Sequence, residues 1–306
     1  MTPKARALTI LCPVLIVLLT VPLYLPGYWF ELLISILMWV ILAVSWIIFS
    51  GYTGYISLAV AAFFGIGSYI TVLFWPALPL PILIILGGLA SVIFAFLIGL
   101  PSLRIRGPYF IILTLGLSEL VKYVVELYEV RVRGRVGTIL MGAPSSEVFY
   151  YSLLAIAIAA AVTAYFVKKS KFGLALFSIK GNEDAAEAMG VDTTWYKLVA
   201  FGLSALFMGF TGAVMALRWT YVDPSIAFNP LVTFQVTIMA ILGGMEDVRG
   251  PIIGAVALTL IAERFGIEYP YHYMALLGIT LILLIKFLPM GLLGAMGKIR
   301  FRRKLS

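Results

Sequence analysis

The chain has 306 residues, of which 62% are hydrophobic and 12% charged, whereas a soluble domain is close to half apolar and a quarter charged. That balance excludes an ordinary soluble globule and indicates a polytopic membrane protein. The formal net charge is +8; in such a chain the placement of basic residues orients the spans, and the excess favours anionic lipid headgroups over nucleic acid as a partner.

A helix rises about 1.5 Å per residue, so crossing about 30 Å of hydrocarbon takes about 20 residues. On that scale the apolar runs predict an all-α membrane domain covering 1–306, with about ten spans at roughly 7–25, 29–49, 55–75, 79–99, 108–126, 148–167, 197–217, 229–243, 250–266 and 271–289. The first run follows Lys4 and Arg6 and has the outline of a signal peptide, but Tyr24-Leu25-Pro26-Gly27-Tyr28 offers no small-residue cleavage site, so it reads as a span. The eighth and ninth are short and read equally as half-helices or tilted pieces. Cys12 is the single cysteine, which leaves no intramolecular disulfide to form.

Ten spans put both termini on one side, and the basic residues agree. Lys4 and Arg6, Arg104 and Arg106, the lysines of 168–180, Arg249, and Lys298 to Lys304 in the basic tail 291–306 all share a face if the N-terminus is cytoplasmic. The exception is 127–147, an external loop with Arg131, Arg133 and Arg135 beside Glu129 and Glu147. It reads either as a protein-contact surface or as a solvated loop. Trp75, Tyr150, Trp219 and Tyr221 mark outer span ends, and Tyr52, Tyr55, Trp195 and Tyr196 inner ones, as aromatic belts require.

Small residues mark close helix contacts or the lining of a path: Gly51 and Gly54 before the third span, Ser57, Ala61 and Gly65 at four-residue spacing on it, and Gly250 with Gly254 as GxxxG at the start of the ninth. Arg106-Gly107-Pro108 and Arg249-Gly250-Pro251 each open a span on the same side, a faint hint of duplication.

A polar island at 168–197 interrupts the apolar chain. Its back half, Asn182 to Gly190, reads as one short helix. Asn182 is the N-cap, Glu183 and Asp184 suit the first turn, and Gly190 is the stop. Ala185, Ala188 and Met189 form a small apolar face. A helix of about two turns is unstable alone, so this one lies against a surface: its own membrane domain, or a cytosolic partner that it docks.

No GxxxxGK[ST] phosphate loop, HExxH or Cys/His cluster occurs, so neither ATP hydrolysis nor a metal or other cofactor is expected on this chain. His272 is the sole histidine and Cys12 is buried in a span, so nucleophilic triads fail. Glu119 is the deepest carboxylate, with Lys122 at i+3, and reads as a structural ion pair or a substrate contact. The scarcity of such acids places the energy source outside the chain. Three functions remain: the membrane subunit of an ATP-driven transporter that docks its ATPase through Asn182–Gly190; a self-sufficient secondary carrier coupled through Glu119; and, least supported, a membrane-embedded enzyme.

Four blocks carry a family resemblance. Gly51-Tyr52-Thr53-Gly54-Tyr55-Ile56-Ser57-Leu58 with Ala61-Ala62-Phe63-Phe64-Gly65, then Leu103 to Tyr109 with Leu113-Thr114-Leu115-Gly116, then Asn182 to Gly190 with Tyr196-Lys197-Leu198, and finally Ile241 to Met245 with Gly250-Pro251 resemble, in order, the M-type subunit of the branched-chain amino acid ABC importer permeases. The resemblance implies a non-catalytic permease in the cell membrane, built like the larger (type II-like) ABC importers. It implies cytosolic ATPases docked on Asn182, Glu183, Ala185, Ala186, Glu187, Ala188, Met189 and Gly190, a second H-type permease, and an extracytoplasmic substrate-binding protein. Tyr55 stands where the family usually has a polar residue, Ala59-Val60 where it has glycine and a polar residue, and Gly134 to Thr138 departs from its Thr-Gly-Gly block. Leucine-like amino acids are the default substrate, with urea, short amides or another small solute open.

Overall fold

The computed structural model describes residues 27–268, with 18–20, 22, 24, 278 and 279 beside them. Apart from those few residues, the expected spans at 7–25 and 271–289 and the tail at 291–306 lie outside the described residues. In chain order the elements are α1 (Gly27–Trp46), continued by a π-helical turn (Ile47–Gly51), α2 (Val60–Phe74), α3 (Leu80–Ser102), α4 (Pro108–Tyr128) with a second π turn (Glu129–Arg133), β1 (Thr138–Ile139), α5 (Ser146–Lys169), α6 (Lys171–Gly181), α7 (Glu183–Ala188), α8 (Thr193–Trp219), β2 (Tyr221–Val222), α9 (Pro224–Ala227), α10 (Pro230–Gly243) and α11 (Arg249–Glu268). Among the described residues, five helical stretches are long and apolar enough to cross a membrane: Gly27–Gly51, Leu80–Ser102, Ser146–Lys169, Thr193–Trp219 and Pro224–Gly243. The protein is a mostly helical membrane protein. Among the described residues the strand content is the two-residue antiparallel pairing of β1 with β2.

Helix α8 is central and packs along both α2 and α3. The approach is close because glycines line the crossings. A Cβ on Gly67 would lie 2.0 Å from the Gly209 carbonyl oxygen, and one on Gly212 would lie 1.9 Å from that of Phe64. In lipid, where burying apolar surface gives little drive between helices, such contacts and interhelical hydrogen bonds hold a bundle. Ser68 and Thr71 of α2 donate to the carbonyls of Gly212 and Ala213, each at 3.0 Å. The GxxxG at the start of α11 works the same way: Cβ positions on Gly250 and Gly254 would meet the carbonyl oxygens of Gly244 and Met239 at 1.9 Å.

The expected third span, 55–75, is corrected. Helix α2 starts only at Val60, and its 15 residues rise about 22 Å, less than the hydrocarbon thickness. Residues 54–59 run without helix or strand, so Ser57 is off the helix and only Ala61 and Gly65 of the expected stripe share it. Backbone of this kind inside a membrane bundle survives only where its buried polar groups find partners, and several do here. Gly54, at φ 79°, donates to the Ser50 carbonyl at 3.1 Å. Leu58 N–H donates to Thr114 Oγ1 at 3.0 Å, and Ser118 Oγ returns to the Leu58 carbonyl at 3.2 Å. Trp46 Nε1 reaches the Ser57 carbonyl at 2.9 Å, and Ala61 N–H reaches Thr233 Oγ1 at 3.0 Å. Helices α1 and α4 therefore hold the irregular segment, while Thr233 of α10 meets the first turn of α2 just after it. Gly51, just before it, sits where a Cβ would lie 3.0 Å from the Met245 carbonyl oxygen.

Contacts sort into two ends. At one, Trp75 Nε1 donates to the Met141 carbonyl at 2.8 Å, β1 pairs with β2, and Glu31 accepts from Ser146 at 2.7 Å and binds Arg218 at 2.8 Å. At the other, Lys180 reaches the Gly51 carbonyl at 3.0 Å, Lys168 lies 3.5 Å from Asp247, and Arg106 lies 2.5 Å from Asp184.

Candidate functional site at the α7 end

The back half of the polar island folds as the expected short helix, and a further helix precedes it. Residues 171–181, where no helix was expected, form α6, capped by Ser170, whose side chain accepts from Gly173 N–H at 3.2 Å. Asn182 then ends α6 and caps α7, accepting from Ala185 N–H at 3.1 Å. Gly190, at φ 87°, reverses the chain, and Val191 N–H returns to the Ala186 carbonyl at 3.1 Å, the closure expected after a left-handed residue.

Helix α7 has an inner and an outer side. Ala186 is 1% exposed and faces the protein. Ala185, Ala188 and Met189 face outward, Met189 with 74% of its surface exposed. The expected apolar face therefore exists and lies open, while Ala186 and Glu183, expected with it as contact residues, are turned inward. The reason is a network that the sequence alone did not bring together.

At its centre is Lys197, in the first turns of α8 and 2% exposed. Its ammonium lies 2.5 Å from Glu183 Oε1, 3.1 Å from the Leu103 carbonyl and 3.4 Å from the Tyr55 hydroxyl, and 4.6 Å from the Tyr55 ring centroid. The Tyr55 hydroxyl in turn donates to Glu183 Oε2. Arg106 closes the outer side: its Nη1 is 2.5 Å from Asp184, its Nε 3.6 Å from Glu183 and its Nη2 3.8 Å from Glu187. Glu187 also accepts from the Thr193 hydroxyl at 2.5 Å. Burial disfavours the charged form of Glu183, but hydrogen bonds from Lys197 and Tyr55 and the charges of Lys197 and Arg106 outweigh it and hold the carboxyl below its ordinary value. A hydrogen bond to Asp184 raises the Arg106 guanidinium above its own.

The elements joined here matter mechanically. Tyr55 lies on the irregular segment before α2. Arg106 precedes Gly107, at φ 68°, and so sits at the entry to α4. Lys197 belongs to the central helix. One surface-exposed helix is thus tied to the starts of three bundle helices. Tyr55, Arg106 and Lys197 were legible only as a family departure, a basic turn and part of a block. A lysine at the head of an otherwise apolar span was the one signal that a buried partner was needed.

The other residues singled out fall apart in space. Glu119 and Lys122 do pair, at 3.4 Å, both partly exposed on α4. At the opposite end Val72, Leu73, Trp75, Arg133, Arg135 and Thr138 line a cleft of about 610 Å³.

A family model described as "Branched-chain amino acid transport system / permease component" matches residues 28–285. The chain is 28% identical over 288 residues to the high-affinity branched-chain amino acid transport system permease protein LivM of Salmonella typhimurium and 27% identical over 288 residues to the protein of that name from Escherichia coli. Each alignment covers 83% of this chain and 65% of the relative, so the chain spans just under two thirds of their length. The galactose/methyl galactoside import permease protein MglC of Escherichia coli is 27% identical over 145 residues, 45% of this chain and 41% of its own. No solved structure matches significantly.

Proposed function

The chain belongs to the family of branched-chain amino acid transport system permease components, and on that premise we propose that it is the membrane-spanning permease subunit of an ATP-driven importer. Its substrate is a branched-chain amino acid or a similar small solute. The single observation that carries this reading is the orientation of α7: a helix too short to stand alone is pinned by Glu183, Asp184 and Ala186 and holds Ala185, Ala188 and Met189 outward. A loop helix serving only its own domain would turn those apolar side chains inward. The partner is a separate ATPase chain in the cytosol, so the α7 end is cytoplasmic, the chain has ten spans, and both termini lie on that side. A second, H-type permease completes the path, and an extracytoplasmic binding protein delivers substrate to the end bearing Arg133 and Arg135. Glu119 is neutralised by Lys122, which argues against a free coupling carboxylate.

Reconstitution into proteoliposomes tests this. The complete assembly should concentrate solute only with ATP inside the ATPase-facing compartment, and this chain alone should concentrate none under any proton or sodium gradient. Gradient-driven uptake by the chain alone, abolished by Glu119→Gln, would establish the secondary carrier instead.

A further inference from the structure

Where α5 ends and α6 begins, a groove of about 280 Å³ opens between these helices and α8. It is lined by Phe166, Val167, Ser170, Phe172, Val199 and Leu203. The lining is almost wholly apolar. Phe166 is 64% exposed, and Val199 and Leu203 are part-exposed about one and two turns on from exposed Trp195 on α8. An indole at that position suits the headgroup level. Ser170, in the groove wall, is flanked in the chain by two basic residues, Lys169 and Lys171. Lys169 folds over Tyr165, its ammonium 4.3 Å from the ring centroid and bonded to the hydroxyl, while Lys171 is exposed. The first N–H groups of α6, on Lys171 and Phe172, precede that helix's own ladder, and a helix start favours an anion.

From this juxtaposition of an apolar groove with two lysines and a helix start beside its wall, we infer that the groove is a site for one anionic phospholipid, its acyl chain along Val199 and Leu203 and its phosphate at Lys169 and Lys171. Charge decides the occupant. A zwitterionic lipid would fill the apolar part equally but leave the ammonium groups without a net counter-charge, and a free phosphate would meet the lysines but leave the groove unfilled. The assignment requires only that the chain sits in a bilayer, so it stands or falls apart from the transport reading.

The test is native mass spectrometry of the full chain released from nanodiscs containing equal amounts of phosphatidylglycerol and phosphatidylcholine. One phosphatidylglycerol should be retained with a preference of roughly tenfold, the scale expected when two lysines meet an anionic headgroup. Lys169→Gln with Lys171→Gln should reduce that preference to near parity while leaving phosphatidylcholine retention unchanged. Val199→Trp should lower retention of both lipids, and Leu203→Phe, a milder filling of the groove, should do so partially if the tryptophan variant fails to fold. Millimolar inorganic phosphate should not displace the lipid. Equal retention of the two lipids by the unaltered chain, an undiminished preference in the double glutamine variant, or displacement by phosphate alone would each overturn the assignment.

Discussion

Lys197 and Glu183 close on each other at 2.5 Å with side chains only 2% and 10% exposed, so an ion pair at the foot of the central helix anchors α7, whose apolar face lies open. Breaking such a pair from one side strands the other charge, at a cost of about 3 kcal/mol where little water can replace the partner. Lys197→Met should therefore loosen α7 from the bundle, seen as faster amide exchange over residues 183–190. Lys197→Met with Glu183→Gln should recover much of that protection, because no buried charge remains. Equal exchange in both variants and the unaltered protein would mean that the pair does not position α7.

The same pair sets a pH window. Glu183 is held below its ordinary pKa in the folded chain, so its contribution is fully present above the unfolded value of about 4.3 and is lost only as pH falls through the lower folded value. Protection of 183–190 should be flat from about pH 8 to about pH 5 and fall only below the ordinary carboxylate range. A loss between about pH 7 and about pH 6 would point to a different titrating group.

Glycine positions separate into two kinds. Gly67 faces the Gly209 carbonyl oxygen with no room for a Cβ, whereas a Cβ on Gly116 of α4 meets nothing within 4 Å. Gly67→Val should destabilise the bundle by about 1–3 kcal/mol or more, the scale of overpacking, and lower its apparent melting temperature in detergent. Gly116→Ala should leave that temperature unchanged. A tolerated valine at 67 would contradict the crossing of α2 and α8.

The proposed orientation, with the α7 end cytoplasmic, is tested by labelling. A cysteine at Ser145 should react with an impermeant reagent added outside intact cells, and one at Ser170 should be protected until the membrane is opened. The reverse pattern would invert the orientation.

Much of this was legible in the sequence because it rests on local physics. Asn182 as cap and Gly190 as stop are decided within a few residues, and the apolar face of Ala185, Ala188 and Met189 follows from helical spacing alone. The span starts near 80, 108, 230 and 250 lie next to proline or glycine, which mark them. What stayed hidden depends on distant partners. Nothing near Glu183 says that Lys197 and Tyr55 will meet it and turn it inward. The irregular stretch before Val60 looks like continuous apolar helix because hydroxyls that satisfy it, Thr114 and Ser118, sit on another helix. The pairing of Thr138 with Val222 is too short to leave a periodic signature.

The outward face of α7 carries the central claim, and one substitution tests it. Met189→Asp adds a charge where 74% of the side chain is now exposed, so the chain itself should fold and insert normally. Against an ATPase surface the same carboxylate would be buried without a partner, at a cost of several kcal/mol, which lowers docking affinity by a factor on the order of 100. Asp192→Asn, which keeps the side-chain oxygen that accepts from Trp195 N–H at 3.0 Å, should be mild. The measurement is pull-down of the ATPase together with substrate-stimulated ATP hydrolysis, with recovery of the second permease as the control for assembly. Loss of both ATPase signals in Met189→Asp with the permease pair intact is the predicted result; wild-type docking and hydrolysis in a correctly inserted Met189→Asp chain would contradict it.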